Sequence, residues 1–187
     1  MTVKDAIHTR RTIRKFTQEP VSLAILRELV DDALVCPCSA NMQPLKYKIV
    51  DQAHVDAVFP YLRWAVAIAP AGDPAPDERP TAYIIITADT SIRPQNYDID
   101  VGIAAQTIAL AAWEKGVATC LMALHDKPGL KASLALPEPI VPVLAIAMGY
   151  PAQNSEIYPM EEGRYKYHLT QDGTLHVPKR VLEDILL

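Results

Sequence analysis

Glycine is scarce in this chain, seven in 187 residues, and none is arranged as G-x-G-x-x-G or as a Walker A loop. That excludes the glycine turns that bring a backbone against a dinucleotide or a triphosphate. Cysteine is limited to Cys36, Cys38 and Cys120. The odd number argues against a disulfide framework and makes the cytoplasm the expected compartment. Long apolar runs are missing too. The longest, 64–71 and 103–113 (the second broken by Gln106 and Thr107), fall short of the roughly 20 residues a spanning helix needs, so no membrane is expected. The opening MTVKDAIHTRRTIRKF does not read as a secretory signal. A net charge of -4 and a pI near 5.7 give no broad basic surface, which speaks against nucleic acid. The five histidines form no HExxH and no compact His/Asp cluster; His168 and His176 meet across a hairpin in only one of its registers. Ser39 lacks a G-x-S-x-G setting. Neither a metal centre nor a hydrolase triad is supported.

Half the residues are hydrophobic, enough for the core of one domain spanning 1–187. Thr2 and Asp5 form a capping-box pattern, and Val3, Ala6, Ile7 and Arg10 follow at helical spacing. A second helix starts after Pro20, capped by Ser22, with Leu26, Leu29, Val30, Ala33 and Leu34 inward. Alternation predicts a strand over 45–49, helical spacing a helix over 54–62, and four prolines a flexible surface loop over 70–80. Strands are expected at 81–88, 117–122 and 143–148, with a short helix at 128–134. The long central helix, 98–115, is apolar nearly all round and stops at Gly116. YKYHLTQDGTLHV reads as a hairpin turning at Asp172-Gly173, within an excursion over 152–178. Helices covering a mixed sheet are the simplest layered solution.

The sharpest chemical signal is RRTIR, which sets Arg10, Arg11, Thr12 and Arg14 at the end of the first helix. Three guanidiniums so close repel one another and are cheaper to keep together around a shared anion. Their planar forks suit a phosphate. The alternative is a set of cations favoured by a helix C-terminus. CPCSANMQP offers Ser39, Asn41 and Gln43, donors and acceptors suited to a planar heterocycle, or else a capped turn. Cys36 and Cys38 read as buried apolar thiols. Lys179 and Arg180 either complete the anion site or are solvated.

Together these motifs resemble the nitroreductase family, which pairs an early R-R-S/T-x-R with P-S-x-x-N-x-Q-P-W. Here RRTIR is followed by PCSANMQPL, then by DVGIAAQTIALAA over 100–112, GVATCL over 116–121, a strand ending in Gly149-Tyr150-Pro151, and KRVLEDIL over 179–186. The resemblance implies an α+β fold with a mixed central β-sheet flanked by helices, in an intertwined homodimer with FMN at the subunit interface. It implies that Arg10, Arg11, Thr12 and Arg14 hold the FMN phosphate and ribityl chain, helped by Lys179 and Arg180. Pro37, Cys38, Ser39 and Asn41 match the segment facing the flavin, and Leu121 and Met122 match backbone running along the ring.

The implied reaction is electron transfer from NAD(P)H, a transient reductant, to a small electron-poor acceptor such as a nitroaromatic or quinone. One site used twice gives ping-pong kinetics. The flavin carries the chemistry, so no catalytic side chain is nominated. Two rivals stand beside this reading. One is a flavoenzyme of another reaction type, such as ene or ring reduction, dehalogenation or flavin cleavage. The other is a non-enzymatic flavin-binding protein. The chain departs from the pattern at Cys38 (serine in the family), Leu45 and Leu121 (tryptophans) and Thr107 (asparagine).

Overall fold

The computed structural model describes residues 1–161 and 163–187. Four strands, β1 (Leu45–Val50), β2 (Ala82–Asp89), β3 (Ala118–Ala123) and β4 (Ile140–Gly149), form a sheet in the order β1-β2-β4-β3. Neighbours in this sheet run antiparallel throughout. Among the described residues, parallel pairing enters at its margin, in the bridge Thr12↔Thr119, and in a second sheet. That sheet joins β5 (Ser155–Pro159), β6 (His168–Leu169) and β7 (Leu175–Lys179) in the order β5-β7-β6. The architecture is α+β, as expected.

The central strands are buried on both faces because their apolar residues are continuous rather than alternating. Tyr83, Ile85, Ala145 and Ala147 point into one core with Ile13, Phe16 and Trp64. Ile84, Ile86, Ile146 and Met148 point into another, beneath α2 (Leu23–Leu34) and α3 (Asp98–Glu114). Pro142, which has no N–H to give, sits where the β2/β4 register shifts after Ile86, a position that tolerates proline. Gly116 ends α3 with a positive φ of 75°, and its N–H reaches the Trp113 carbonyl at 3.0 Å.

The caps fall where the sequence puts them. Thr2 and Asp5 close the box on α1 (Val3–Thr9), and the Ser22 hydroxyl accepts the Ile25 N–H. Two expectations need correction, the 54–62 helix and the inward Leu34. The 54–62 segment is two 3₁₀ turns, Gln52–Ala57 and Phe59–Tyr61, because Pro60 withholds the N–H an α-helix would need. Val58 and Leu62 still face the core. On α1 only Ala6 is buried, while Val3 and Ile7 are exposed. On α2, Leu34 is 64% exposed. Leu26, Leu29 and Ala33 are covered by the sheet, so what the two stripes leave open is Leu34 on α2 and Val3 and Ile7 on α1.

After α1 the chain runs extended along the sheet. Ile13 donates to the Thr119 carbonyl at 3.1 Å, Phe16 to Glu78 O at 2.9 Å, and Thr17 to Tyr150 O at 2.8 Å. Phe16 is fully buried against Gly149, where an added Cβ would lie 2.9 Å from Phe16 Cβ. Phe16→Ala is expected to cost ~3–5 kcal/mol in urea unfolding, since it empties a fully packed site. Gly149→Ala is expected to destabilise although it adds only a methyl, because backbone and ring must part.

Candidate functional site: an arginine pocket and a carboxylate-tied loop

The arginines do not sit on the helix. α1 ends at Thr9 with Arg10 as its cap, and Arg11–Arg14 belong to the extended segment beside β3. Ile13 turns into the core, so Arg10, Arg11, Thr12 and Arg14 are left half-buried around a cavity of about 200 Å³. The Arg11 guanidinium is held at 2.8 Å by the carbonyls of both His8 and Arg10. The far wall comes from the second sheet, through Ser155, Ile157, Tyr167, Val177 and Lys179. The Arg14 guanidinium lies over the Tyr167 ring, 5.0 Å from its centroid.

Charge in this pocket is unbalanced. Among its described lining residues there is no carboxylate, while Arg10, Arg11, Arg14 and Lys179 all face it. Burial, and then the Arg11 charge, pull the Arg10 guanidinium below its ordinary value. Burial also pushes the Cys120 thiol up, against the pull of Arg14. Arg10 Nε, Arg11 Nε and Ser155 Oγ are buried without a hydrogen-bond partner. Buried donors are normally satisfied, so unpaired ones beside clustered cations fit an oxyanion such as a phosphate.

The 36–44 segment lines a different cavity of about 290 Å³, with Pro37, Cys38, Gln43, Leu45, Tyr47 and Asp100. Its backbone is unusual, for Ala40, Asn41 and Gln43 all take φ near +50°. One buried side chain holds it. Asp100, only 3% exposed, accepts the Ser39 N–H at 3.1 Å and the Cys38 thiol at 3.3 Å, and pairs with Arg93 at 3.3 Å. The Cys38 sulfur in turn accepts the Gln43 N–H at 3.2 Å. The thiol thus does bridging work inside the loop. Cys36 is hydrogen-bonded to Thr107 at 3.1 Å. Burial raises Tyr47 to about 12.

The structure therefore gathers Arg10, Arg11, Thr12, Arg14 and Lys179 into one pocket. Arg180 is exposed and does not line it. Pro37 and Cys38 line the second cavity, while Ser39 and Asn41 are exposed beside it. Leu121 is exposed on β3, whereas the Met122 side chain is buried in the core, leaving only its backbone available. Sequence reasoning missed Ser155, Tyr167 and Asp100. An acid near the start of an otherwise apolar helix was the available signal for the last.

Comparisons agree with this architecture. A model of the nitroreductase family matches residues 7–150. A protein of Methanothermobacter thermautotrophicus, provisionally named NADH dehydrogenase/NAD(P)H nitroreductase, is 31% identical over 160 residues, covering 82% of this chain and 80% of its own. A nitroreductase family protein of Clostridium difficile matches with a TM-score of 0.70 at 18% identity, over 100% of this chain and 98% of that one. The NADPH:FMN oxidoreductase of Vibrio harveyi, solved with NAD+, matches with a TM-score of 0.67 at 22% identity, over 98% of this chain and 81% of that one. Fold and relatives together define an oxidoreductase of α+β architecture. The chain belongs to the nitroreductase family.

Asp100 also generates a pH prediction. Burial alone would raise its pKa, but the Ser39 N–H, the Cys38 thiol and Arg93 outweigh burial and hold it below the usual carboxylate range. A depressed folded pKa contributes stability above the unfolded value, and that contribution is lost as pH falls through the folded one. Asp100→Asn is expected to lower stability by ~1–3 kcal/mol at pH 7. Urea titrations of wild type and variant should converge as the pH drops below ~4.

Proposed function

We propose that this protein is an FMN-dependent oxidoreductase that takes electrons from NAD(P)H and delivers them to a small electron-poor acceptor such as a nitroaromatic or quinone. The observation that carries the reading is the arginine pocket, with its clustered cations and unpaired buried N–H groups. FMN is the flavin whose single terminal phosphate suits such a pocket, and the V. harveyi relative is an NADPH:FMN oxidoreductase. When bound, it supplies hydride acceptance and onward delivery.

The protein's own part is binding, orientation and electrostatics. Arg10, Arg11, Arg14 and Lys179 would neutralise the phosphate, with the Thr12 hydroxyl beside them. Arg11 is already oriented by two carbonyls, so little side-chain freedom is lost on binding. Arg180 is exposed within one chain and would join from the pocket's rim. The backbone of Leu121 and Met122, on the strand next to the arginine segment, would run along the ring. Donor and acceptor would occupy one opening in turn, giving ping-pong kinetics. Leu45 and Leu121 are aliphatic where the family carries tryptophan, so neither position offers an aromatic face for stacking.

The working unit in this reading is a homodimer. Pro37 and Cys38 line a different cavity from the arginines, with Ser39 and Asn41 exposed beside it, so a second copy is the simplest way to bring the two halves of the site together. Apolar surface supports it: Val35 is 86% exposed, Ile99 73%, and Val3, Ile7, Leu34 and the tail residues Leu182, Ile185 and Leu186 are also open. A monomer seldom leaves so much uncovered. Among the described residues no helix is long and apolar enough to cross a membrane.

Titration with FMN is expected to quench flavin fluorescence stoichiometrically. Arg10→Ala and Arg14→Ala should each weaken binding by about tenfold or more, the scale of a lost charge-assisted bond. Absence of binding at micromolar FMN would refute the cofactor. Mixing with NADH or NADPH in a stopped-flow cell should bleach the bound flavin; if neither does, the reductant is wrong. Light scattering at several dilutions should show a dimer that FMN stabilises. A monomer retaining full FMN occupancy would overturn the shared site.

A further inference from the structure

The family model ends at residue 150, yet one wall of the arginine pocket is built from residues 155–179. The wall's chemistry follows from strand register. In the parallel pair β5/β7, Ser155 lies opposite Leu175 and Ile157 opposite Val177. Alternation then turns Ser155, Ile157, Val177 and Lys179 toward the arginines. It turns Glu156, Tyr158 and His176 to the other face, where Tyr158 and His176 line a separate polar cavity with His168 and Glu156 pairs with His176. Among the described residues of this wall, two groups besides Lys179 can act on an anion or on its ligands.

Ser155 is the first. Its hydroxyl is buried, has no hydrogen-bond partner, and lies in the same wall that faces the unpaired Arg10 Nε and Arg11 Nε. A buried hydroxyl without a partner costs the fold stability, so its presence points to a group it meets in another state. Tyr167 is the second. Its ring covers the Arg14 guanidinium at 5.0 Å, restricting a side chain that would otherwise swing away from three neighbouring cations.

Resting on the flavin reading above, we propose that Ser155 donates a hydrogen bond to the cofactor's phosphate end and that Tyr167 is a positioning residue that holds Arg14 onto that phosphate. The second sheet is then part of the cofactor site.

The test compares FMN with riboflavin, which lacks the phosphate, in fluorescence titrations of wild type, Ser155→Ala, Tyr167→Ala and Tyr167→Phe. Urea unfolding of the flavin-free forms runs alongside. Ser155→Ala is expected to raise the Kd for FMN about tenfold and leave that for riboflavin unchanged. Its flavin-free unfolding midpoint should stay level or rise, because an unpaired hydroxyl has been removed. A purely structural serine would lower that midpoint. Tyr167→Ala should weaken FMN several-fold, and Tyr167→Phe should restore it, since the ring face and not the hydroxyl meets Arg14. Unchanged FMN affinity in Ser155→Ala, or equal weakening of FMN and riboflavin, overturns the assignment of Ser155. Equal affinity in Tyr167→Ala and wild type overturns that of Tyr167. If Arg10→Ala weakens FMN while these variants do not, this inference fails and the flavin reading stands. If wild type binds no FMN, both fail.

Discussion

A single backbone hydrogen bond, from the Ile13 N–H to the Thr119 carbonyl, sets the position of the arginine cluster. It lays the residues after α1 along the edge strand β3, and the burial of Ile13 and Phe16 in one core keeps them there. With Ile13 fixed inward, its neighbours must face outward, so the arginines converge instead of dispersing into solvent. Hydrophobic burial thereby offsets the mutual repulsion of like charges, a cost an isolated segment would avoid by fraying.

The 36–44 loop is organised on the opposite principle. Its three non-glycine residues at positive φ are strained, and little apolar surface holds them. A buried carboxylate on α3 supplies the restraint by accepting from two successive residues of the loop. The protein therefore presents one group of polar side chains through core packing and the other through ionic hydrogen bonding. The two should respond differently to temperature, salt and pH. α3 links them, because its apolar face lies against the central sheet while its first turn carries Asp100.

Local features were legible in the sequence and long-range ones were not. Thr2, Ser22 and Gly116 marked helix ends because capping is chemistry between residues a few positions apart. The strands were legible from their composition. Helical spacing over 54–62 was misleading, since periodicity outvoted Pro60. The α2 stripe was read correctly at Leu26, Leu29 and Ala33, whereas Leu34, Val3 and Ile7 show that apolar spacing reveals a need for cover and not that this chain provides it. RRTIR stood out as a candidate anion site because three cations together are costly wherever they fold. Ser155 and Tyr167 carried no such mark. Their relevance depends on the parallel pairing of β5 with β7 across the intervening β6, and on the docking of that sheet against the arginines.

The second sheet is thin, with both faces polar in part, and its hairpin is pinned by Asp172, which accepts from Thr170 and Thr174 around Gly173. A strand of period two has parity. Lengthening or shortening the 170–174 turn by one residue would slip β7 and trade Lys179 and Val177 for Pro178 and His176. The arginines would then face an imidazole and a proline ring. A change of two residues would restore the original face. In this stretch of the chain, only even changes in length would preserve the displayed face, so the turn acts as a counting device for what the pocket displays.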